Sequence, residues 1–422
     1  MSNSTDVIVI GSGLAGLMAA YAAAKNGAAV KVMSEGVGNL AISPGCIDLL
    51  GYDREGRRID DPWAEIPNLP QEHPYSLIGE AAIRESLEEL QAALEGQGLK
   101  LAPFRDSAGA AKNSLVPTIM GTFKPSWLVP AEMDNDQIQN AGKILILSIK
   151  GFRDCRPQMI RGQLLRYPGW ANRDIATLVL PAPFDEHGRA LNALDLAHFL
   201  DLPRGRDWLM NRIKGLGKKY DLVLMPPMLG ARANSRIRSV VREELGCPYV
   251  EMLSVPPGVA GLRIRDALAD MLVNMNVEFY ENAKVIRSTL AGGKCGSITV
   301  HASGREFEQT AKTFVAATGG VIGGGVLLGQ GTATEAVFGL EIPVPANVDE
   351  WSVPELFGNH LVSRLGVETD KSLRHKDLEN VFFAGRTLGG YDYAAEKSGH
   401  GVACSTGWLA GKLAAGYAQG GN

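Results

Sequence analysis

A glycine-rich turn near the start of the chain constrains its fold more than any other feature. The segment "VIVIGSGLAGLMAAYAAAKNG" places Gly11, Gly13 and Gly16 between a short β-branched run and a helix of small residues. In this spacing the first glycine permits a tight turn, the second lets backbone approach a phosphate, and the third lets helix and strand pack closely. Since "AAVKVM" is typical of a second strand, we predict a β-α-β unit with a nucleotide-binding turn.

The start of the helix after this turn is the expected anion site. Amides at a helix N-terminus point at the ligand with the favourable end of the helix dipole. The predicted cofactor contacts in this turn are Gly11, Ser12, Gly13, Leu14, Ala15 and Gly16. The turn alone does not distinguish a nicotinamide cofactor from a flavin.

Composition and charge exclude several classes of protein. The chain has 422 residues, of which 45% are hydrophobic and 21% charged, which predicts a globular protein of more than one domain. Its net charge of −4 argues against nucleic acid as a partner. The five cysteines are scattered without a C-x-x-C pair, so we predict no disulfide framework, no metal site and no iron–sulfur cluster in this chain.

Hydrophobic patterns extend the prediction along the chain. The uncharged stretches 7–24 and 313–334 are interrupted by glycines, which favours buried strand–turn–helix segments over membrane spans. Further strands are predicted at "KILILSIKG", "ATLVLPAP", "DLVLMPPMLG", "AKVIRSTLA", "CGSITVHA", "REFEQTAK", "TFVAATGG" and "NVFFAG". Further helices are predicted at "YSLIGEAAIRESLEELQAALEGQG", "GLRIRDALADMLVNM" and from Gly401 to Tyr417. Between Cys155 and Gly261, helices separated by Pro- and Gly-rich turns predict a second domain.

Two late segments resemble signatures of flavoproteins of the fumarate reductase and succinate dehydrogenase type. They are "TFVAATGG" and "NVFFAGRTLGGYDYAAEKSGHGVACSTGWLAGKLA". Over nearly its whole length the chain also resembles the family of B subunits of anaerobic glycerol-3-phosphate dehydrogenases. This resemblance rests on "VIVIGSGLAGLMAA", "SPGCIDLLG", "GFRDCRPQMIRGQL", "REELGCPYVEMLSVPPGVAGLRI" and the tail "NVFFAGRTLGGYDYAAEKSGHGVA".

The resemblance implies a fold. It is a Rossmann-like (GR2-type) flavin-binding domain of the α/β class with an inserted α+β capping or substrate domain. We place the flavin-binding domain at 1–150 and 262–422, and the inserted domain at about 151–261.

The resemblance also implies an activity and partners. The expected reaction is oxidation of sn-glycerol 3-phosphate to dihydroxyacetone phosphate, with electrons passing through the flavin and an iron–sulfur C subunit to quinone. An FAD-bearing A subunit would be the other partner. The expected location is cytoplasmic, on the inner face of the membrane through these partners. A free-standing flavin oxidoreductase and a non-catalytic relay or scaffold subunit remain alternatives.

The end of the second strand bears on which flavin is bound. An acid at this point binds the adenosine ribose in dinucleotide folds. Here the strand ends in "VMSEG", so Ser34 takes the expected place and Glu35 arrives one residue late, on the opposite face of a regular strand. This favours FMN, which has no adenosine, over FAD. Ser34, Glu35 and Gly36 are predicted cofactor contacts.

The remaining candidate residues follow from the resemblance. Further cofactor contacts are expected at Ser43, Gly45, Thr318, Gly319, Gly320, Gly385, Arg386, Gly401 and Val402. Candidate catalytic residues are Arg386, which would hold negative charge, His400, which would move a proton, and Arg263, which would bind the substrate phosphate. A structural ion pair for Arg263 and a structural or solvated role for His400 remain alternatives. The basic run from Arg204 is interpreted as a solvated helix face, with docking onto an acidic partner as the alternative.

Overall fold

The computed structural model describes residues 5–133, 135–184, 190–355, 358 and 360–420. The helices are α1 Leu14–Lys25, α2 Pro62–Glu65, α3 Pro74–Gly96, α4 Asn135–Asn140, α5 Pro157–Leu164, α6 Ala193–Asp201, α7 Pro203–Ile213, α8 Ile237–Leu245, α9 Val259–Asn274, α10 Tyr393–Glu396 and α11 Gly399–Ala418. The strands are β1 Val7–Ile10, β2 Val30–Ser34, β3 Leu101–Ala102, β4 Phe104–Arg105, β5 Ala111–Lys112, β6 Ser114–Pro117, β7 Phe123–Ser126, β8 Val129–Pro130, β9 Lys143–Ile149, β10 Asp174–Leu180, β11 Leu222–Met225, β12 Tyr249–Glu251, β13 Glu278–Glu281, β14 Lys284–Ala291, β15 Lys294–Ala302, β16 Arg305–Thr310, β17 Thr313–Ala316, β18 Val326–Leu328, β19 Ala333–Glu335, β20 Glu341–Ile342 and β21 Val381–Phe383. The strands and helices named in the sequence analysis are confirmed.

The chain divides into two compact units. Unit 1 combines the chain up to Asn39 with Asp48–Ala93 and everything from Leu268 onward. Unit 2 combines Leu40–Ile47 with Leu94–Ala267. Both chain ends therefore contribute to unit 1. The boundary expected near residue 151 differs from the observed one, because β9 pairs with both β10 and β11 and so lies inside the sheet of unit 2.

A five-stranded parallel sheet in the order β13-β2-β1-β17-β21 forms the centre of unit 1. In its register Val7 lies opposite Val30 on one side and Thr313 on the other. All four residues of β1 are buried, as expected for a strand covered on both faces. Because the strands are parallel, the turns that follow β1, β17 and β21 leave the same edge of the sheet.

Helices α1 and α11 lie against each other in unit 1, and glycines permit the close approach. A Cβ on Gly407 would lie 2.3 Å from the carbonyl oxygen of Ala15. A Cβ on Gly411 would lie 2.2 Å from that of Ala19. The small residues of these two helices therefore allow backbone-to-backbone contact that larger side chains would prevent.

Two antiparallel sheets complete unit 1. One is the meander β14-β15-β16, and the other has the order β18-β19-β20. The second sheet encloses a small apolar cluster of its own, formed by Val326, Ala333, Ile342 and Leu365. This cluster supports the segment between β17 and β21.

Unit 2 contains a four-stranded parallel sheet in the order β10-β9-β11-β12, together with three short antiparallel pairs. The resemblance implies an α+β domain here, and the parallel pairing of these strands was not predicted. The buried run of β9 provides much of the core, which also includes Cys46, with no exposed surface. Cys46 therefore acts as a small buried residue of this apolar core.

Thiol and metal chemistry have few candidates among the described residues. No disulfide joins the five cysteines, and burial raises the pKa of Cys155 and of Cys247 to about 11. Within the described ranges no group of three or more His, Cys, Asp or Glu side chains is arranged to hold a metal ion. None of the helices in the described ranges is long and apolar enough to cross a membrane.

Candidate functional site

The glycine turn leads from β1 into α1, and two of its glycines are required by their surroundings. Gly11 has a φ of +111°, and a Cβ there would lie 2.3 Å from the carbonyl oxygen of Ala317. A Cβ on Gly16 would lie 1.9 Å from the carbonyl oxygen of Gly11. Gly13 differs, because a Cβ there would have no atom within 4 Å. The middle glycine therefore faces open space, as the approach of a phosphate requires.

The N-terminus of α1 has no side-chain cap. Gly13 is its N-cap residue, and the described part of the chain shows no side-chain capping hydrogen bond at this helix start. Ser12 instead donates through Oγ to the carbonyl oxygen of Gly36 at 2.9 Å, which joins the turn to the loop after β2. Uncapped helix amides beside open space suit an anion, so the geometry fits the phosphate of a nucleotide cofactor.

The end of β2 separates Ser34 from Glu35. Ser34 is the last residue of the strand and is buried. The Glu35 side chain is 66% exposed and pairs with Lys284 at 3.1 Å, a contact between two solvated groups. The two residues thus differ in environment, as their alternation along the strand predicts, and the acid is engaged at the surface.

Three turns meet at the carboxyl edge of the unit 1 sheet. The amide of Gly319 donates to Oγ1 of Thr387 at 3.2 Å, and Oγ1 of Thr318 lies 3.3 Å from the same atom. A Cβ on Gly385 would lie 2.6 Å from Cβ of Ala15, so the turn after β21 contacts the first turn of α1. The structure therefore brings together three of the predicted cofactor segments. Thr387 lies inside the quoted tail motif but was not predicted as a site residue, because a single threonine there has no signal of its own.

Arg386 places a positive charge beside the turn that contains Gly320. A Cβ on Gly320 would lie 3.1 Å from the Arg386 side chain. The guanidinium lies 4.5 Å from the ring centroid of Tyr393, and its Nη2 donates to the carbonyl oxygen of Ser363. Its Nε is buried and has no hydrogen-bond partner within the described part of the chain. Arg386 therefore keeps one buried donor that is not used by the protein.

His400 lies in the first turn of α11, where Nδ1 is 3.4 Å from Oδ2 of Asp48. The imidazole is 22% exposed and Asp48 is buried, so the carboxylate can orient the ring from the protein side. The contacts expected from Gly401 and Val402 stay predictions, and the amides of both residues are already engaged within the protein. The Gly401 amide donates to the carbonyl oxygen of Asp48 at 2.8 Å, and the Val402 amide donates to that of Ser398 at 3.0 Å.

A buried polar network in front of α11 was not predicted, because the segment with His73 and the segment with Glu396 are 323 positions apart. Nδ1 of the fully buried His73 accepts the amide hydrogen of Tyr75 at 3.0 Å. Nε2 therefore donates to Oε2 of Glu396 at 3.2 Å, and Ser398 Oγ donates to the same oxygen at 2.9 Å. Burial raises the pKa of Glu396, but the interaction with His73 and the hydrogen bonds from the Asp392 amide and Ser398 together outweigh burial and lower the pKa overall. This network holds the segment that leads into α11.

Ser43 and Gly45 belong to unit 2, where they contact the residues around the start of α9. A Cβ on Gly258 would lie 2.0 Å from the carbonyl oxygen of Ser43, and one on Gly45 would lie 2.3 Å from Cβ of Ala260. The Gly45 amide donates to Ser43 Oγ at 3.2 Å. Close packing within unit 2 is thus a sufficient reason for both residues.

Arg263 also lies in unit 2, and its contacts match the structural alternative. Its Nη1 and Nη2 donate to the two carboxylate oxygens of Glu251 at 2.6 and 3.1 Å, and its Nε donates to Gly230 O at 2.8 Å. Both side chains are buried. Burial lowers the pKa of Arg263, but the charge and the hydrogen bonds of Glu251, with smaller contributions from other groups, outweigh burial and raise this pKa overall. A role in binding the substrate phosphate is not supported by these contacts.

Comparison with known proteins places these features in context. The family described as "FAD binding domain" matches residues 6–402. The chain is 29% identical to a probable B subunit of anaerobic glycerol-3-phosphate dehydrogenase from Halobacterium salinarum, over 98% of this chain and 99% of that protein. It is 28% identical to the B subunit of anaerobic glycerol-3-phosphate dehydrogenase from Vibrio vulnificus, over 98% of this chain and 97% of the relative. These matches confirm the resemblance that the motifs indicate.

Solved structures show more distant likeness. Mycobacterium smegmatis Sdh1 in complex with UQ1 is 12% identical, with a TM-score of 0.44 over 99% of this chain and 69% of that one. Escherichia coli quinol fumarate reductase FrdA is 10% identical, with a TM-score of 0.44 over 99% and 71%. At these TM-scores the likeness carries no argument about function.

Proposed function

Because the chain belongs to the FAD binding domain family, we propose that it is the flavoprotein B subunit of an anaerobic glycerol-3-phosphate dehydrogenase. It would oxidise sn-glycerol 3-phosphate to dihydroxyacetone phosphate and pass the electrons through a partner iron–sulfur subunit to quinone. The names of its relatives support this substrate. The observation that carries the proposal is the uncapped start of α1, which faces open space at Gly13.

The residues at the carboxyl edge of the sheet would hold a flavin, which accepts two electrons together and releases them singly. The amides of the first turn of α1 would bind its phosphate. Thr387 would keep the turns after β17 and β21 in register with each other. The buried Nε of Arg386 and its positive charge would stabilise negative charge on the reduced cofactor or on the substrate.

We propose FMN as the flavin, with FAD as the alternative. The support is the end of β2, where Ser34 is buried in the strand and Glu35 pairs with Lys284 at the surface. The test is to denature the purified protein and to identify the released flavin by mass. FMN is expected, and FAD would contradict this assignment. A Glu35→Gln variant should release the same flavin in the same amount, whereas a ribose-binding acid would be needed for retention of FAD.

His400 is the residue that we propose to accept the substrate proton. Oxidation of a secondary alcohol to a ketone removes a hydride from carbon and a proton from oxygen. Since Nδ1 of His400 faces Asp48, Nε2 would take the hydroxyl proton while the carboxylate orients the ring.

The complex that we propose contains two further proteins, an FAD-bearing A subunit and an iron–sulfur C subunit. The relatives are named as subunits, which supports an assembly of several chains. Through these partners the protein would lie on the inner face of the cytoplasmic membrane. The five cysteines of this chain are scattered without a C-x-x-C pair, which suits a role in which the iron–sulfur clusters belong to a partner.

Dye reduction separates this proposal from its two alternatives. The purified chain, alone and in complex with its partners, is mixed with glycerol 3-phosphate and an artificial electron acceptor. We expect substrate-dependent dye reduction that increases when the partners are present. Full activity of the chain alone with unrelated hydroxy acids would favour a free-standing oxidoreductase. Activity of the partners that does not depend on this chain would favour a relay or scaffold subunit.

A further inference from the structure

Exposed apolar side chains are concentrated in one segment of unit 1. Ile322 is 84% exposed, more than any other large apolar side chain in the described ranges, and Leu327 is 55% exposed. The segment as a whole contributes Ile322, Leu327, Leu328, Val348 and Val353, which we call the 322–353 surface. Isolated exposed apolar residues are normal in proteins, and contiguous apolar patches mark interaction sites. Five exposed apolar residues within 32 positions make this segment the candidate for such a site in unit 1.

The 322–353 surface rests on ordered structure. Leu327 and Leu328 belong to β18, which pairs with β19 through Leu327 and Thr334. In the sheet order β18-β19-β20, β18 is an edge strand, and no described strand pairs with its outer side. Such an edge offers backbone groups as well as apolar side chains to a second protein.

The charge of the same segment restricts what can cover it. Between Lys312 and Arg364 the sequence contains no lysine and no arginine. Its exposed charged residues are all acidic, namely Glu341, Asp349, Glu350 and Glu355. A second copy of the chain would bring like charges together, and an anionic lipid surface would repel these carboxylates. A protein surface that is apolar and rimmed by lysine or arginine is complementary.

The 322–353 surface is continuous in sequence and structure with the candidate cofactor site. The Gly319 amide is bonded to Thr387, and the chain then folds back so that the Gly325 amide donates to the carbonyl oxygen of Gly320 at 3.1 Å. Ile322 lies in this glycine-rich turn. A protein that covers Ile322 therefore contacts the turn that also borders Arg386.

We propose that the 322–353 surface docks the iron–sulfur subunit of the complex. This inference rests on the proposed function, since it takes the partner to be the protein that accepts electrons from this chain. The partner would present an apolar patch with a basic rim and would lie beside the turn that leaves the candidate cofactor site.

The test uses the complex purified through a tag on this chain, co-expressed with the FAD-bearing and iron–sulfur subunits. The Ile322→Ser/Leu327→Ser variant should retain at least about tenfold less iron–sulfur subunit than the wild type. Val273→Ser is the matched control, because Val273 is also an exposed apolar residue of unit 1. Far-ultraviolet circular dichroism and flavin content should be unchanged in both variants.

A charge series tests the acidic rim independently. Glu341→Lys/Asp349→Lys/Glu350→Lys should make retention of the iron–sulfur subunit weaker and less sensitive to salt. Glu308→Lys, at an exposed position of β16, is the matched control. Retention of the iron–sulfur subunit in the apolar or the charge variant at the wild-type level would overturn the docking site.

If a different partner bound the 322–353 surface, the same experiments would give a different result. Loss of only the FAD-bearing subunit, self-association of the wild type that the apolar variant abolishes, or Leu327-dependent binding to anionic phospholipid vesicles would each overturn the proposal. If the wild-type chain retained neither partner, the proposed function in a complex would fail together with it. Retention of partners by both the wild type and the variants would overturn the docking surface alone.

Discussion

The backbone amide of Gly319 donates a hydrogen bond to Oγ1 of Thr387 at 3.2 Å, across 68 positions of sequence. Thr387 is fully buried, and its hydroxyl also lies 3.3 Å from that of Thr318. One hydroxyl thus joins the turn after β17 to the turn after β21. These are the turns that carry Gly320 and Arg386, so their relative position depends on this contact.

Thr387→Val should weaken cofactor retention and destabilise unit 1 by about 1–3 kcal/mol, because the half-buried Gly319 amide loses its acceptor. Thr387→Ser keeps the hydroxyl and should remain close to the wild type. Urea unfolding and the flavin content of the purified protein measure the two effects. Equal behaviour of the valine and serine variants would show that the hydroxyl does not hold the turns.

The variants Gly13→Ala and Gly16→Ala should lose different properties, flavin retention in the first and stability in the second. At Gly16 a Cβ would overlap the carbonyl oxygen of Gly11, so we expect a loss of about 3 kcal/mol in the free energy of unfolding. At Gly13 the Cβ meets no protein atom, so the fold should persist while the flavin is retained less well. Thermal unfolding and flavin absorbance distinguish the two. A Gly13→Ala protein with full flavin content would contradict phosphate approach at this turn.

The buried ion pair of Glu251 and Arg263 should stabilise unit 2. Arg263→Met should reduce the free energy of unfolding by about 3–5 kcal/mol, because it leaves a buried carboxylate without its counter-charge. Arg265→Met is the control, since Arg265 pairs with Asp266 nearer the surface, and it should cost less than about 1 kcal/mol. Similar losses for both variants, measured by urea unfolding, would contradict a special role for the buried pair.

The pair of Glu251 and Arg263 also predicts that the stability of the protein depends on pH. Burial raises the pKa of Glu251, but the attraction of Arg263 and the backbone donors outweighs burial and lowers it below the ordinary 4.5. A lowered pKa contributes stability that is present above the ordinary value and lost as the pH falls below it. Glu251→Gln should therefore flatten the acid side of the stability curve measured between pH 7 and pH 3.

For Glu335 we expect the opposite dependence of protein stability on pH. It is buried at the end of β19, where Oε2 accepts the Val337 amide at 2.9 Å and Oε1 has no partner in the described ranges. Burial raises its pKa to about 7. The folded state then holds the proton more tightly than the unfolded state, so stability falls as the pH rises from about 4.5 to about 7.

Glu335→Gln should remove this dependence. The neutral amide can still accept the backbone hydrogen bonds, so the variant should gain on the order of 2 kcal/mol over the wild type at pH 8 and little at pH 4. Urea unfolding at the two pH values provides the measurement. An equal difference at both would show that the carboxyl group does not change its charge in this range.

His400→Gln should reduce kcat by about 100-fold or more if His400 accepts the substrate proton, with a smaller change in KM. His301→Gln is the control, because His301 is an exposed residue of β15. Steady-state assays of the assembled complex with glycerol 3-phosphate measure both. Wild-type kcat in the His400 variant would remove it from the reaction and leave its contact with Asp48 a structural one.

Many elements of the fold could be predicted because their signals are local. The buried β1 run, the glycine turn and the small residues of α1 are adjacent in sequence, and each has a spacing that few other structures need. The motifs after β17 and β21 indicated cofactor segments only through their resemblance to flavoprotein signatures. The parallel pairing of β9 in unit 2 was not predicted, since pairing between distant strands has no local signal.

The β-α-β unit, the nucleotide-binding turn and the resemblance to a flavoprotein family could be predicted from the amino-acid sequence, because these depend on short-range patterns of glycine and apolar residues. The partners of charged and hydroxyl groups became known from the three-dimensional fold. In the fold Thr387 accepts a hydrogen bond from the Gly319 amide, and the Gly401 amide donates to the carbonyl oxygen of Asp48. Arg263 pairs with Glu251, and Lys284 pairs with Glu35. A polar side chain bonds to whatever the fold brings within about 3 Å, and residues far apart in sequence supply those contacts.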